Sequence, residues 1–165
     1  MIREYKTPDK PFLVEMFAHN LHTHSSYISH GELQMGISYD GTTLAPDFKE
    51  KWEHYLNRHH ENEDSRIYVY EENTTIAGFI IFGTDDDHDK KFGVIYDMLL
   101  NDNYKGKGLG SLLLQAATDY FKTQHINDCY LESGVENHSA HGFFEHKGFK
   151  HVSNIYRLSG LNNEE

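Results

Sequence analysis

The sequence contains almost no cysteine and no long apolar run. Cys129 is the single cysteine among 165 residues, so an internal disulfide is excluded. The longest apolar run, residues 76–82, is far shorter than the roughly 20 residues that a membrane-spanning helix needs. The opening residues MIREYKTPDK also lack the apolar segment of a signal peptide. We therefore predict a cytoplasmic protein without a membrane partner.

Basic residues are outnumbered by acidic ones. The chain has 15 Lys and Arg against 26 Asp and Glu, which gives a formal net charge of −11. Nucleic-acid binding requires Lys and Arg clustered against phosphates, so we expect no nucleic-acid partner. A negative surface attracts cations instead, which is compatible with an amine substrate.

The thirteen histidines are scattered along the chain. His138 and His141 could share one helix face, but the sequence has neither an HExxH pattern nor the Cys/His spacing of zinc sites. We predict no metal site. A histidine-rich metal-binding protein remains an alternative, which metal bound to untagged protein would support.

Hydrophobic periodicity divides the chain into predicted strands and helices, and no Pro- or Ser-rich linker separates them. We predict one domain over residues 1–165. Strands are expected at 2–5, 66–70, 75–83, 92–100, 129–131 and 150–158, and helices from residue 8 and at 45–60, 109–121 and 137–146. Residues 19–41 are expected to form a loop or broken helix, and residues 85–89 an acidic turn. This order is typical of a mixed α/β domain around one sheet.

A glycine- and lysine-rich turn precedes the predicted helix at 109–121. Lys105 and Lys107 alternate with Gly106, Gly108 and Gly110. Glycines allow positive φ and a close approach of backbone N–H groups to a ligand, and the lysines and the helix N-terminus favour an anion. The lysine of a Walker loop is absent, and the glycine spacing differs from the dinucleotide-binding fingerprint. The turn therefore predicts a phosphate site.

Two segments resemble the GNAT superfamily of acyl-CoA-dependent N-acetyltransferases. The turn at 105–110, KGKGLG, is similar to the family's pyrophosphate loop, Arg/Gln-x-x-Gly-x-Gly/Ala, with lysine at the first position. Residues 137–149, NHSAHGFFEHKGF, resemble the family's late segment Asn-x-x-Ala-x-x-Phe-Tyr-Glu-Lys-x-Gly-Phe. The predicted order of elements is also the family's order, so the resemblance covers most of the chain.

The resemblance implies an α/β fold with a mixed, mostly antiparallel central sheet of six to seven strands and about four flanking helices. It also implies acetyl-CoA as co-substrate, with pantetheine along the strand that ends at Leu100. The residues that it assigns to acetyl-CoA are Leu99, Leu100, Lys105, Gly106, Lys107, Gly108, Leu109, Gly110, Ser111, Asn137, Phe143 and Phe144.

The implied reaction is direct transfer of the acetyl group to an amine. A proton acceptor is expected, because an alkylamine of pKa about 10.4 is protonated at pH 7. Asp97, the one charge in its predicted strand, is the candidate base; a salt bridge or an anchor for the substrate ammonium is an equal alternative. Phe144 stands where many members have a tyrosine that protonates the CoA thiolate. We predict Tyr130 as the catalytic donor, with Tyr156, His138 or unassisted departure as alternatives.

We therefore predict an N-acetyltransferase that moves the acetyl group of acetyl-CoA to a primary amine of a small molecule or peptide. The alternative is a non-catalytic acetyl-CoA sensor or assembly module, which the absent tyrosine favours. Residues 19–41 and 85–89 are expected to shape the acceptor pocket. The sequence identifies no particular acceptor, and it leaves a homodimer open.

Overall fold

A computed structural model describes residues 1–162 of the chain. Within them, five α-helices flank one sheet of five strands. The strands are β1 (Ile2–Glu4), β2 (Ser65–Glu72), β3 (Thr75–Asp87), β4 (Lys90–Leu100) and β5 (Cys129–Leu131), and the helices are α1 (Lys10–Thr23), α2 (His30–Met35), α3 (Phe48–Glu61), α4 (Leu109–Thr123) and α5 (His138–His146). The strand order is β1-β2-β3-β4-β5, and all neighbours are antiparallel except β4 and β5, which are parallel. The predicted mixed, mostly antiparallel α/β fold is confirmed.

The central strand β3 is buried on both of its faces. Phe79 points to the layer formed by α1 and α3, where its ring lies 5.7 Å from that of Trp52. Phe82 points to the opposite layer, under α4. Each fully buried side chain of this size contributes about 1.5–3 kcal/mol to folding, so β3 joins the two halves of the core.

The hairpin between β3 and β4 is longer than predicted. The sequence analysis placed residues 85–89 in an acidic turn, whereas Asp86 and Asp87 lie in β3, opposite Lys91 and Lys90 of β4. Opposite charges on facing positions stabilise an antiparallel ladder. The strands therefore continue to the short turn after Asp87.

The predicted strand at 150–158 is wrong. These residues have no regular secondary structure and are exposed. An alternating pattern forms a strand only where its backbone groups pair with a neighbouring strand, and no such strand lies beside this segment in residues 1–162. The sheet consequently has five strands rather than six to seven. The helices number five rather than about four, because the predicted broken helix at 19–41 includes α2.

Candidate active site

A cleft opens where β4 and β5 separate. Their parallel pairing joins only residues 93–95 to residues 129–131, and β4 continues to Leu100 without β5 beside it. The cleft has a volume of about 1030 Å³ and is lined by α2, α3, β4, β5 and the residues that follow β5. Its walls therefore combine elements from both ends of the chain.

The backbone of β4 turns alternate residues toward this gap. The Asn101 N–H donates to a β3 carbonyl at 2.8 Å, and Leu99 lies opposite Phe79 in the same antiparallel register. Because ladder bonds alternate along a strand, the N–H and C=O of Leu99 face β3, while those of Met98 and Leu100 face the gap. Of the two residues predicted to pair with pantetheine, Leu99 lines the cleft but turns its backbone groups to β3. Leu100 turns its backbone groups to the gap but is not among the residues that line the cleft.

A β-bulge turns Asp97 into the cleft. Ile95 and Asp97 lie opposite consecutive residues of β3, so Tyr96 is an extra residue in β4. A bulge of this kind interrupts the alternation of faces: Ile95 packs in the α4 layer, whereas Asp97 faces α3. There the Trp52 Nε1–H donates to Asp97 Oδ2 at 3.2 Å. Without the extra residue, the carboxyl group would point away from the cleft.

Two carboxyl groups in the cleft have raised pKa values. Burial raises the pKa of Asp97 to about 6, and the N–H groups of Trp52 and Met98, which donate to its carboxyl, offset part of this rise. Burial, together with the nearby Asp97 and Glu132, raises the pKa of Glu32 to about 7. Asp97 retains some exposed surface toward the cleft. A cation that enters the cleft would favour the charged form of both groups.

Helix α2 builds the acidic wall of the cleft. Glu32 accepts the Ser29 N–H at 3.2 Å in a capping box at the start of the helix. His30 pairs with Glu132, which follows β5 on the opposite wall. The expectation that residues 19–41 shape the pocket therefore holds for α2. Residues 85–89 do not line the cleft, because they form the distant end of the β3–β4 hairpin.

The turn before α4 has open space in front of its backbone. Gly106 has φ 77° and Gly108 has φ 81°, values that favour glycine. A Cβ on either residue would meet no protein atom within 4 Å. The Leu112 N–H donates to the Gly108 carbonyl, so the N–H groups of residues 109–111 precede the first bond within the helix and point out of its N-terminus. Such a terminus favours an anionic ligand.

The two lysines of this turn have different partners. The Lys105 ammonium lies 2.7 Å from Asp102, whose other carboxylate oxygen lies 2.7 Å from His19 Nε2. The Lys107 ammonium lies above the Tyr104 ring, 5.1 Å from its centroid. Lys107 has no carboxylate within ion-pair distance in residues 1–162. Its charge is therefore the less compensated of the two.

The α5 residues of the predicted site lie between the cleft and the turn. Asn137 and Phe144 line the cleft, and the Asn137 side chain also caps α5 by accepting the Ala140 N–H at 3.2 Å. Phe143 packs against the start of α4, since a Cβ on Gly110 would lie 3.5 Å from its ring. These residues join the two regions that the sequence assigned to one ligand.

The candidate proton donors are separated by the fold. Tyr130 lies in the cleft wall, half exposed, with its ring 5.7 Å from that of Phe92. Tyr156 is 88% exposed on the segment after α5, and His138 is not among the cleft residues. Tyr130 is therefore the predicted donor that the fold brings to the cleft.

Three cleft residues were missed by the sequence analysis. Glu32 had a local signal, because Ser29-x-x-Glu32 is a capping-box pattern. Trp52 and Ser133 had none, since the sheet topology alone brings α3 and the end of β5 to the cleft. The Ser133 Oγ is buried without a hydrogen-bond partner, so one polar atom of the wall can still accept or donate.

Within residues 1–162, no three His, Cys, Asp or Glu side chains come together as a metal site would require. Across the same residues, none of the helices combines the length and the apolar character needed to cross a membrane.

The sequence matches the acetyltransferase (GNAT) family over residues 35–149. Two curated relatives are the N-alpha-acetyltransferase 30 of Schizosaccharomyces pombe, 32% identical, and that of Saccharomyces cerevisiae, 29% identical, each over 65 residues. These alignments cover 39% of this chain and 43% and 37% of the respective relatives. The chain thus spans less than half the length of the curated relatives that it matches.

Several solved structures share the fold over the whole chain. A predicted acetyltransferase with acetyl-CoA from Clostridium acetobutylicum has a TM-score of 0.71 at 18% identity, over 100% of this chain and 99% of that one. An aminoglycoside 6'-N-acetyltransferase from Acinetobacter haemolyticus has a TM-score of 0.73 at 8% identity, over 99% of each chain. At these identities the likeness establishes the fold.

The family match and the fold together identify the class of protein. The chain belongs to the acetyltransferase (GNAT) family, since the match covers more than half of its residues. The predicted superfamily is thereby confirmed.

Proposed function

We propose that this protein transfers the acetyl group of acetyl-CoA to a primary amine of a cationic small molecule or peptide, as one cytoplasmic domain. The observation that carries the proposal is the cleft between β4 and β5. It places the gap-facing Met98 carbonyl beside the carboxyl groups of Asp97 and Glu32, and the backbone of Leu100 follows along the same edge of β4. The backbone groups on one side of the cleft can pair with the amides of pantetheine, and the carboxyl groups on the other side can bind a cationic acceptor.

The cofactor side is built mainly from backbone. The N–H groups of residues 109–111 and the Lys107 ammonium would hold the diphosphate, and the Met98 carbonyl and the Leu100 backbone would pair with the pantetheine amides. The open space in front of Gly106 and Gly108 supports this assignment. Charge-assisted hydrogen bonds are worth about 1.5–3 kcal/mol each, so several of them are sufficient for micromolar affinity.

The acceptor side would attract an ammonium group and then remove its proton. Deprotonating an amine of pKa about 10.4 at pH 7 costs about 4.6 kcal/mol. A carboxylate that holds an ammonium also raises the pKa of that ammonium. We therefore assign to Asp97 a transfer through water, in which the amine proton leaves toward solvent. The amine nitrogen bonds to the acetyl carbon, and the bond from that carbon to sulfur breaks.

The CoA thiolate can leave with a proton from a donor in the cleft or leave unprotonated. Phe144 lines the cleft but has no proton to give. Tyr130, in the same cleft wall, is the donor that we propose. Unassisted departure is tolerable as well, because a thiol of pKa near 8.5 is a fair leaving group at neutral pH.

The relatives support an amine acceptor but not one particular amine. Two are N-alpha-acetyltransferases, and the structural neighbours include an aminoglycoside acetyltransferase and the glucosamine-6-phosphate N-acetyltransferase of Arabidopsis thaliana. The proposal is therefore stated for the chemical class, and the acidic wall at Glu32 favours acceptors with a second positive charge.

The test is thiol release from acetyl-CoA with a panel of a polyamine, an aminoglycoside, an amino acid and a peptide with a free N-terminus. We expect amine-dependent release and an acetylated product by mass spectrometry. An alcohol of similar size is the control. Tight acetyl-CoA binding by calorimetry without release for any amine would contradict the transferase and support the non-catalytic module that Phe144 favours.

A further inference from the structure

Three side chains connect α1 to the turn before α4. The Lys105 ammonium lies 2.7 Å from one carboxylate oxygen of Asp102, and His19 Nε2 lies 2.7 Å from the other. His19 and Asp102 are 83 residues apart in the sequence, so the fold brings them together. The hydrogen bonds from Lys105 and from His19 hold the pKa of Asp102 below its usual range. One carboxylate is therefore shared between two basic side chains.

This sharing determines how much charge the turn can offer to an anion. Asp102 compensates the charge of Lys105, which leaves the Lys107 ammonium and the backbone N–H groups for the predicted phosphate site. Histidine is the side chain whose charge ordinarily changes between about pH 5 and pH 8. The three connected side chains have no net charge when His19 is neutral, and they have one net positive charge when it is protonated.

We propose that His19 controls, through Asp102, how much positive charge Lys105 offers to the diphosphate of acetyl-CoA. His19 is then a positioning residue for the co-substrate. The inference rests on the proposed function, which places the diphosphate at this turn. Hydrogen bonds between two charged groups are the stronger ones, so a protonated His19 competes with Lys105 for the carboxylate, and the ammonium is free to turn toward the diphosphate. Acetyl-CoA should therefore bind more tightly as the pH falls.

The other groups around His19 are charge-paired or uncharged. Among the described residues, the concavity that His19 and Asp102 line contains one further titratable side chain, Glu15, one helical turn earlier on α1. Glu15 pairs with Lys49 of α3 at 2.8 Å. The remaining polar residues of this concavity have no charge: Asn20, Thr75, Asn101 and Asn103. The side chains of His19 and Asp102 are 64% and 45% exposed, so solvent screens their charges and limits the size of the effect.

Calorimetry with dephospho-CoA tests the inference without the reaction. This probe lacks the 3′-phosphate, which itself titrates near about pH 6, and the charge of its diphosphate is the same at pH 5.5 and pH 8. For the parent protein we expect an affinity about fivefold higher at pH 5.5 than at pH 8, because one exposed charge is added close to the diphosphate. His19→Gln can still donate to Asp102 but cannot gain a charge. Its affinity should equal that of the parent at pH 8 and stay there at pH 5.5.

His22→Gln is the matched control. His22 is also exposed on α1, but its ring packs edge-on against Phe48, 5.4 Å between centroids, and not against Asp102. This variant should retain the full pH dependence of the parent. Both histidines are exposed, so the circular dichroism spectra of the two variants should match that of the parent.

Lys105→Gln tests whether His19 acts through Lys105. In this background, adding His19→Gln should change the affinity at pH 5.5 by less than it does in the parent, because the responding cation is absent. Three results would overturn the inference: a parent affinity that is the same at both pH values, a pH dependence that His19→Gln retains, or strictly additive effects of the two substitutions. Absence of any dephospho-CoA binding to the parent is a different outcome, because it would overturn the proposed placement of the co-substrate together with this inference.

Discussion

Replacing Asp97 by asparagine should stabilise the protein at high pH while impairing catalysis. Burial raises the pKa of Asp97 from its ordinary 3.8 to about 6, which corresponds to about 3 kcal/mol at about 1.4 kcal/mol per tenfold change. The carboxyl is partly exposed to the cleft, and solvent screens part of this penalty. We therefore expect Asp97→Asn to gain about 1–2 kcal/mol of unfolding free energy at pH 8.

The sign of the pH dependence follows from the raised pKa. Between about pH 4 and pH 6 the folded protein binds more protons at Asp97 than the unfolded chain does. The stability of the parent protein thus falls as the pH rises through this window, and it stays lower above it. The variant does not lose stability in this window, so its free energy of unfolding should exceed that of the parent at pH 8 and equal it near pH 4.

Urea denaturation at pH 4.5 and pH 8 measures the effect, with the m-value as a check that the denatured states are alike. Asp89→Asn is the matched control, because Asp89 is exposed in the turn of the same hairpin and should change little at either pH. In thiol-release assays, Asp97→Asn should lower kcat/KM by about 100-fold and flatten the acid limb of the pH profile near 6. Two results would refute the account of a desolvated carboxylate. One is a variant with a lower free energy of unfolding than the parent at pH 8, and the other is a gain in that free energy that is the same at both pH values.

Three further changes test other parts of the cleft. Gly108→Ala should raise the KM for acetyl-CoA about tenfold, because φ of 81° strains an L residue; the helical Gly142→Ala, whose Cβ meets open space, should leave this KM unchanged, and equal effects would contradict a role for the turn. Phe144→Tyr should retain or raise kcat, since it adds a proton donor in the cleft. A severe loss of kcat in a folded variant would contradict this placement of residue 144. Glu32→Gln should raise the KM for dicationic amines about tenfold with little change for acetyl-CoA; an equal rise for both substrates would point to a structural role.

Sequence patterns correctly predicted those helices, turns and strands that are determined by residues close together in the sequence. The apolar face of α4, the turn at 105–111 and the core strand β3 are each encoded within one short segment, so spacing alone identified them. The family's order of elements led to Leu99, Tyr130, Asn137 and Phe144, which line the cleft, whereas the turn at 105–111 is not part of its lining. Asp97 was identified as unusual because it is a lone charge in an apolar strand.

The surroundings of Asp97 required the folded chain. Trp52 donates to it from a helix 45 residues earlier, and the extra residue Tyr96 that turns it toward α3 has no local signature. Glu32 comes from α2, where the sequence indicated only a broken helix. The segment at 150–158 shows the opposite failure. Its pattern suits a strand, but a strand needs a second segment to pair with, and this one pairs with no strand in residues 1–162.

In the proposed function, an acidic protein would hold an anionic co-substrate and a cationic acceptor with different groups. The chain has a net charge of −11, and the Lys105 ammonium is paired with Asp102. The turn therefore has few uncompensated side-chain cations. Backbone N–H groups and the α4 terminus attract a diphosphate without adding positive side chains. In the proposed function those groups would act over hydrogen-bonding distances, whereas the carboxyl groups of Asp97 and Glu32 would act on the acceptor from the other wall. The divergence of β4 from β5 allows this arrangement, because it frees the backbone of one strand between the two sites.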